Sequence, residues 1–268
     1  MRLMNSSQQE AAERSAPKAL VIFEAIRSEG EHELERPASS LAWSGLAAGL
    51  SMGFSMVAQA LLGHYLPEAD WTPLITKFGY SIGFLIVILG RQQLFTENTL
   101  TPVLQLLERK TSTVFVQLIR LWSIVLVANI LGTFLFALSI SSISIFEPET
   151  YEQFNKIARG VVAGGFSVTF FRGIFAGWLI ALIIWLLPFA EQARFWVIIL
   201  ITYLIGLGEF SHIIAGSVDG FYGVLVQQVS WYDFSFHFFL PTLLGNILGG
   251  VALVASINYA QISYEHSG

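Results

Sequence analysis

Two long apolar runs in this chain are interrupted by polar residues in mid-course, and no other feature restricts its folding as much. The stretch "KFGYSIGFLIVIL" (Lys77 to Leu89) reads as a helix buried in lipid. It is followed at once by "GRQQLFTEN" (Gly90 to Asn98), in which only Leu94 and Phe95 are apolar and Arg91 and Glu97 carry full charges. A backbone can leave the helix inside a bilayer only where it is buried in protein or lines a wet cavity, because lipid offers its N–H and C=O groups no partner. The interruption therefore points to an internal site.

The rest of the chain has the same character. Six segments satisfy the roughly 20 mostly apolar residues that a crossing requires: about 41–62, 73–107, 114–140, 168–188, 195–228 and 236–260. The second and fifth are too long for one straight crossing, and both contain polar interruptions. Only 12% of the 268 residues are charged, against about 25% in soluble domains, and the mean hydropathy is +0.63. This is too little charge to coat a water-facing surface, so the chain reads as an all-α membrane protein of six transmembrane helices. The net charge of −5, without a basic run, argues against a nucleic-acid partner. With no cysteine, disulfides and thiolate sites are excluded. No basic n-region runs directly into an apolar core at the N-terminus, so no cleaved signal peptide is expected.

Three regions follow. Residues 1–40 form an N-terminal segment in which Leu20, Phe23 and Ile26 share one helical face, as in a helix lying at the membrane interface. Residues 41–262 hold the spans, and 263–268 form a short tail. Arg2, Arg14, Lys18, Arg27 and Arg36 precede the first span, Arg109 and Lys110 follow the second, and Arg194 precedes the fifth. This bias places the N-terminus and, with an even number of spans, the C-terminus on the cytoplasmic side.

An internal repeat is visible. "NILG" occurs at 129–132 and again at 246–249, and "GLAAG" (45–49) has a counterpart in "GIFAG" (173–177). Three spans per copy is an odd number, so the copies, about 41–140 and 168–260, are inverted relative to each other. Inverted repeats with helices broken at matching positions point to a transport path near the midplane, at their interface. Gly45, Gly49 and Gly53, like Gly173 and Gly177, recur every four residues and suit close helix packing.

His212, in "GEFSHIIAGS", is the one histidine placed well inside a span, in the break of the fifth, while His32, His64, His237 and His266 sit near termini or span ends. Repeat symmetry sets His212 opposite Thr96 in the break of the second. A histidine at mid-membrane can donate a hydrogen bond or a proton to a passing weak-acid anion. Arg91, Glu97, Arg172 and Glu209 are the other charges in or near spans. Arg91 and Glu97 flank the first break and suit each other as partners, and Arg172 is placed to snorkel outward. Gly90 lets the chain leave the helix, and Glu97 and Asn98 suit the cap of a half-helix that follows. "GLSMG" (49–53) matches an esterase pattern, but it lies inside a helical span without the strand–turn–helix setting that chemistry needs. No metal-binding or nucleotide-binding motif is present, so neither an enzyme activity nor a cofactor is expected.

With "LFT" at Leu94, Phe95 and Thr96, and His212 followed by "IIA", the chain resembles the formate/nitrite transporter family from about Leu41 to Gln261. The wording around "LFTENT" looks most like a branch of enterobacterial inner membranes. The resemblance implies an aquaporin-like 3+3 protomer with helices 2 and 5 broken, assembled as a homopentamer in a bacterial inner membrane, with one path per subunit. It implies passage of small monovalent anions or their weak acids, with protons as possible companions. Hydrophobic constrictions would flank a central Thr96–His212 site, with Leu94, Tyr80 and Phe84 on the cytoplasmic side and Ile180 and Ile205 on the outer side. Phe95 belongs to the same loop. Several positions depart from the family pattern: Gln93 stands in place of an acidic residue, Glu97 in place of a small one, and Gly177 and Gly216 in place of asparagines. The lysine expected ahead of the fourth span is missing near Ala163, leaving Arg91 or Arg172 as possible electrostatic attractors. Two other functions remain open at this level: a pore for a neutral small solute, and a non-transporting scaffold or sensor.

Overall fold

A computed structural model describes residues 18–261, and all of its regular structure is helical. Arg2, Arg14 and the tail 263–268 lie outside the described residues. The helices are α1 (Ala19–Glu35), α2 (Ala38–Tyr65), α3 (Thr72–Leu89), α4 (Thr101–Arg109), α5 (Ser112–Ser142), α6 (Pro148–Val161), α7 (Gly165–Phe189), α8 (Arg194–Leu207), α9 (Ile213–Leu225) and α10 (Asp233–Gln261). Among the described residues five of these, α2, α3, α5, α7 and α10, are long and apolar enough to cross a membrane, whereas α8 and α9 are shorter apolar helices. The two long segments read from the sequence as spans 73–107 and 195–228 are thus each divided, into α3 and α4 and into α8 and α9.

The divisions have the same local cause. At the end of α3 the Gln92 N–H bonds to the Val87 carbonyl and the Arg91 N–H to the Ile88 carbonyl. At the end of α8 the Phe210 N–H bonds to Ile205 and the Glu209 N–H to Gly206. Each is a Schellman termination, which needs one residue in the left-handed region. That residue is Arg91 (φ 53) in one case and Glu209 (φ 51) in the other. Gly90 keeps helical angles. It serves the close approach instead, since a Cβ there would come within 2.5 Å of the Ile86 carbonyl oxygen.

After the first break the chain makes one turn at Glu97–Thr99 and enters α4 with Pro102 in its first turn, where the missing N–H costs nothing. The residue at the cap is Leu100, without a side-chain bond, so Glu97 and Asn98 do not cap α4. α9 differs: its cap is His212, whose Nδ1 accepts from the Ala215 N–H at 3.2 Å.

α2 packs along α5, and α7 along α10, closely enough that side chains are excluded between them. A Cβ on Gly49 would lie 2.1 Å from the Asn129 carbonyl oxygen, and one on Gly177 2.3 Å from that of Asn246. α1 lies against α4, tied by Gln105 Nε2 donating to the Arg27 carbonyl at 2.7 Å and by ion pairs of Arg27 with Glu108 and Arg109 with Glu31. Phe23, Ile26 and Leu34 face inward from α1 and are buried, while Leu20 packs against the same core.

Candidate functional site

Two buried asparagines hold the two breaks in matching fashion. Asn129 of α5 accepts the Phe95 N–H at 2.9 Å and donates to the carbonyls of Gly45 and Gln93 at 2.7 and 2.8 Å. Asn246 of α10 accepts the Ile213 N–H at 2.9 Å and donates to Gly173 and Ser211, both at 2.8 Å. Each satisfies backbone groups that the loss of helix would otherwise leave unpaired in an apolar core. The "NILG" repeat carries this role, although the two words alone do not disclose it.

The matching bonds also fix the register. Phe95 corresponds to Ile213 and Gln93 to Ser211, so His212 corresponds to Leu94, and Thr96 to Ile214. The expectation that symmetry relates His212 to Thr96 is corrected accordingly: the two are two positions apart in the repeat. They still meet in space. Thr96 Oγ1 lies 2.7 Å from His212 Nε2, and both residues are buried. Because Nδ1 accepts a backbone N–H, the ring proton sits on Nε2, and Nε2–H donates to the Thr96 hydroxyl oxygen. The hydroxyl proton of Thr96 is then available to a third group.

Aromatic and aliphatic side chains enclose this pair. The Phe84 ring stands edge-on to His212 with centroids 5.0 Å apart, and Tyr80 packs on Phe84 at 5.2 Å. Phe95 points the other way, against Trp122 at 5.8 Å. Ile180 is fully buried.

A cavity lies beyond each end of the enclosed region. One, of about 690 Å³, is lined by Tyr80, Lys77, Ile205, Glu209, Ser211, Gly216 and Asp219, among others. The second, of about 820 Å³, is lined by Ile88, Gln92, Gln93, Leu94, Glu97 and Asn98 together with Glu29 and Glu33 of α1. Tyr80 and Leu89 stand nine residues apart on α3, which sets the cavities about 13 Å apart along its axis. Thr96, His212, Phe84 and Ile180 line neither cavity and occupy the stretch between them. Tyr80 therefore belongs with Ile205, on the side away from Leu94, and not with Leu94 as expected. α3 carries it to the far end before the break begins.

The charged residues pair differently from expectation. Arg91 Nη1, leaving the left-handed turn, meets Glu29 Oε1 of α1 at 2.8 Å and does not pair with Glu97. Glu97 Oε1 is enclosed without a hydrogen-bond partner. Arg172 meets Glu209 at 3.0 Å, at the rim of the first cavity. Two residues passed over in the sequence, Lys77 and Asp219, line that cavity, and each lies within electrostatic range of the other. Among the described residues one group, His64, Glu147 and Glu149, brings three possible metal-ligating atoms within 4.8 Å of one another; none of the three lines either cavity.

Comparison with known proteins agrees with this architecture. The profile of the family described as formate/nitrite transporter matches residues 20–260. The chain is 45% identical to inner membrane protein YfdC of Escherichia coli (strain K12), over 95% of this chain and 82% of that protein. It is 27% identical to a formate-nitrite transporter of Plasmodium knowlesi (strain H), over 84% and 77% of the two chains. A solved pentameric formate channel with formate bound superposes with a TM-score of 0.73 at 20% identity, covering 85% of this chain and 98% of that one.

Proposed function

The chain belongs to the formate/nitrite transporter family, and from that premise we propose that it passes small monovalent anions, or their conjugate weak acids, across the membrane by a path through each protomer. The path runs from one cavity, past Thr96 and His212, to the other. The observation that carries this reading is the buried 2.7 Å contact of Thr96 with His212 between two polar-lined cavities. In this reading α3 with α4, and α8 with α9, supply the second and fifth of six crossings, and the two copies form an inverted aquaporin-like repeat. The twin Schellman ends and twin asparagine clasps support it.

The physical problem is to carry a small anion across an apolar constriction, where a bare charge is heavily penalised. Leu94 narrows the path on the α1 side, and Tyr80, Phe84, Ile180 and Ile205 enclose it further on. The N-terminal end of α9 opens at His212, where the partial positive charge of a helix start favours an anion. The solute accepts a hydrogen bond from the Thr96 hydroxyl, which His212 orients by donating to its oxygen. It crosses as the neutral acid or with a proton. Arg91 and Arg172 are already paired with carboxylates, which weakens both as attractors of the solute.

Assembly as a homopentamer, an inner-membrane location and cytoplasmic termini belong to the same proposal. They draw support from the superposed pentameric channel and the E. coli inner-membrane relative.

Uptake of radiolabelled formate into proteoliposomes tests the reading, with protein-free liposomes as baseline. Saturable uptake above that baseline is the expected result; its absence across formate, nitrite and lactate would refute transport of this class. Current under voltage separates charged from neutral flux, since a neutral solute carries none.

A further inference from the structure

The loop that narrows the path is held from outside the pore. Gln93 donates from Nε2 to Glu33 Oε2 of α1 at 2.8 Å, and its Oε1 accepts from Asn98 Nδ2 at 2.9 Å. The same Asn98 Nδ2 also reaches the Leu94 carbonyl at 3.3 Å. The Gln93 backbone is fixed on both sides, its N–H by Ser44 Oγ at 3.0 Å and its carbonyl by Asn129. α1 thus reaches the Leu94–Thr96 loop through one relay, half-buried at Glu33 and buried at Gln93 and Asn98.

We propose that Glu33 is a positioning residue for the Leu94–Thr96 loop, acting through Gln93 and Asn98, and that this relay sets the size selectivity of the path. The inference rests on the reading of Leu94 and Thr96 as part of that path. An amide suits position 93 because it presents a donor to Glu33 and an acceptor to Asn98 at once. A carboxylate there would face the Glu33 carboxylate acceptor to acceptor. The glutamine that departs from the family pattern before "LFT" is therefore matched by an acid on α1.

The charged groups around Glu33 fit this role. Arg36 meets it at 3.1 Å, and Glu29 and His32 flank it on α1. Arg91, Glu97 and Arg194 line the same cavity. Burial raises the pKa of Glu33 above the ordinary carboxylate range, opposed in part by Arg36.

Two readouts test the proposal, one independent of transport. The chain has no cysteine, so Gln92→Cys, which lines the cavity beside the loop, gives a clean site for maleimide labelling. In that background E33A is expected to label roughly tenfold faster, because a charge-assisted hydrogen bond is lost. E33Q keeps an acceptor and should label near the parent rate. Q93E should label fast at about pH 7.5 and more slowly at about pH 5.5, where one of the two acids takes up a proton. The exchanged pair E33Q/Q93E restores donor against acceptor and should label slowly at both. In proteoliposomes the same four variants, with position 92 native, should rank identically in the ratio of formate to lactate uptake, with E33A lowering it roughly tenfold. Labelling that E33A leaves unchanged, or an exchanged pair no better than Q93E alone, would overturn the proposal. So would accelerated labelling with an unchanged ratio in a protein that transports through Thr96 and His212. Accelerated labelling in a protein with no uptake at all would instead overturn the transport reading.

Discussion

Replacing Asn246, like its counterpart Asn129, should damage the protein severely. The Asn246 side chain is fully buried and makes three hydrogen bonds, all to backbone: from Ile213, and to Gly173 and Ser211. Asn246→Leu keeps the volume and removes all three. The Ile213 N–H and the Ser211 carbonyl then lie in an apolar core without partners, and the Gly173 carbonyl keeps only the bond of its own helix. At about 1–2 kcal/mol for each of the three bonds lost, the loss comes to about 3–6 kcal/mol. For a chain of this size that lowers the melting midpoint by roughly 6–12 °C or more. Asn246→Asp should fare no better, since its carboxylate keeps the bond from Ile213 but turns an oxygen toward two carbonyls. Transport should fall further than stability does, because Ser211 and Ile213 flank His212 and the 2.7 Å contact with Thr96 depends on both. Thermal unfolding in detergent, followed by intrinsic fluorescence, and formate uptake give the two readouts. An Asn246→Leu protein that melts within about 2 °C of wild type would show that the break is held by something else, and the reasoning would fail.

Other outcomes follow from the same geometry. Gly49→Ala and Gly177→Ala each drive a Cβ into a backbone carbonyl of the facing helix, and each should cost about 1–3 kcal/mol in the same melting assay. Lys110→Gly should do the reverse and raise stability by about 1 kcal/mol, since Lys110 ends α4 at φ 49 and glycine adopts that conformation without a Cβ penalty. Glu33 has a pKa raised in the folded state, mainly by burial. Its contribution to stability is therefore fully present below the unfolded-state pKa and is lost as pH rises through the folded one. The midpoint of Glu33→Gln relative to wild type should accordingly be higher at about pH 7.5 than at about pH 4.5, and an equal difference at both would refute the coupling.

Helix content and the positions of the two interruptions could be read from the sequence because hydropathy reports local environment, and a charged residue in an apolar run has few explanations. The meeting of Thr96 with His212 was legible because each falls in an interruption and the motifs around them resemble a family whose path carries this pair. Register was not legible. The separation between matching residues changes along the chain, from Gly45 and Gly173 to Asn129 and Asn246, so symmetry paired His212 with the wrong partner until the clasps were seen. Side-chain direction was also hidden. Arg91, leaving a left-handed turn, meets Glu29 of α1 and does not pair with Glu97, and no spacing rule foretells a left-handed arginine next to an available glycine. Tyr80 was misplaced because nearness in sequence to the loop says nothing about which end of α3 faces which cavity. Lys77 and Asp219 escaped notice because they come from different spans and share a cavity only once the chain is folded.

The central claim is that the solute passes Thr96 and takes a hydrogen bond from its hydroxyl. Thr96→Val keeps the shape and removes the hydroxyl, and the measurement is the initial rate of radiolabelled formate uptake into proteoliposomes matched for incorporated protein. The account predicts a fall of about tenfold or more, with α1 still docked and the protein still folded. A Thr96→Val protein that takes up formate at the wild-type rate would contradict it.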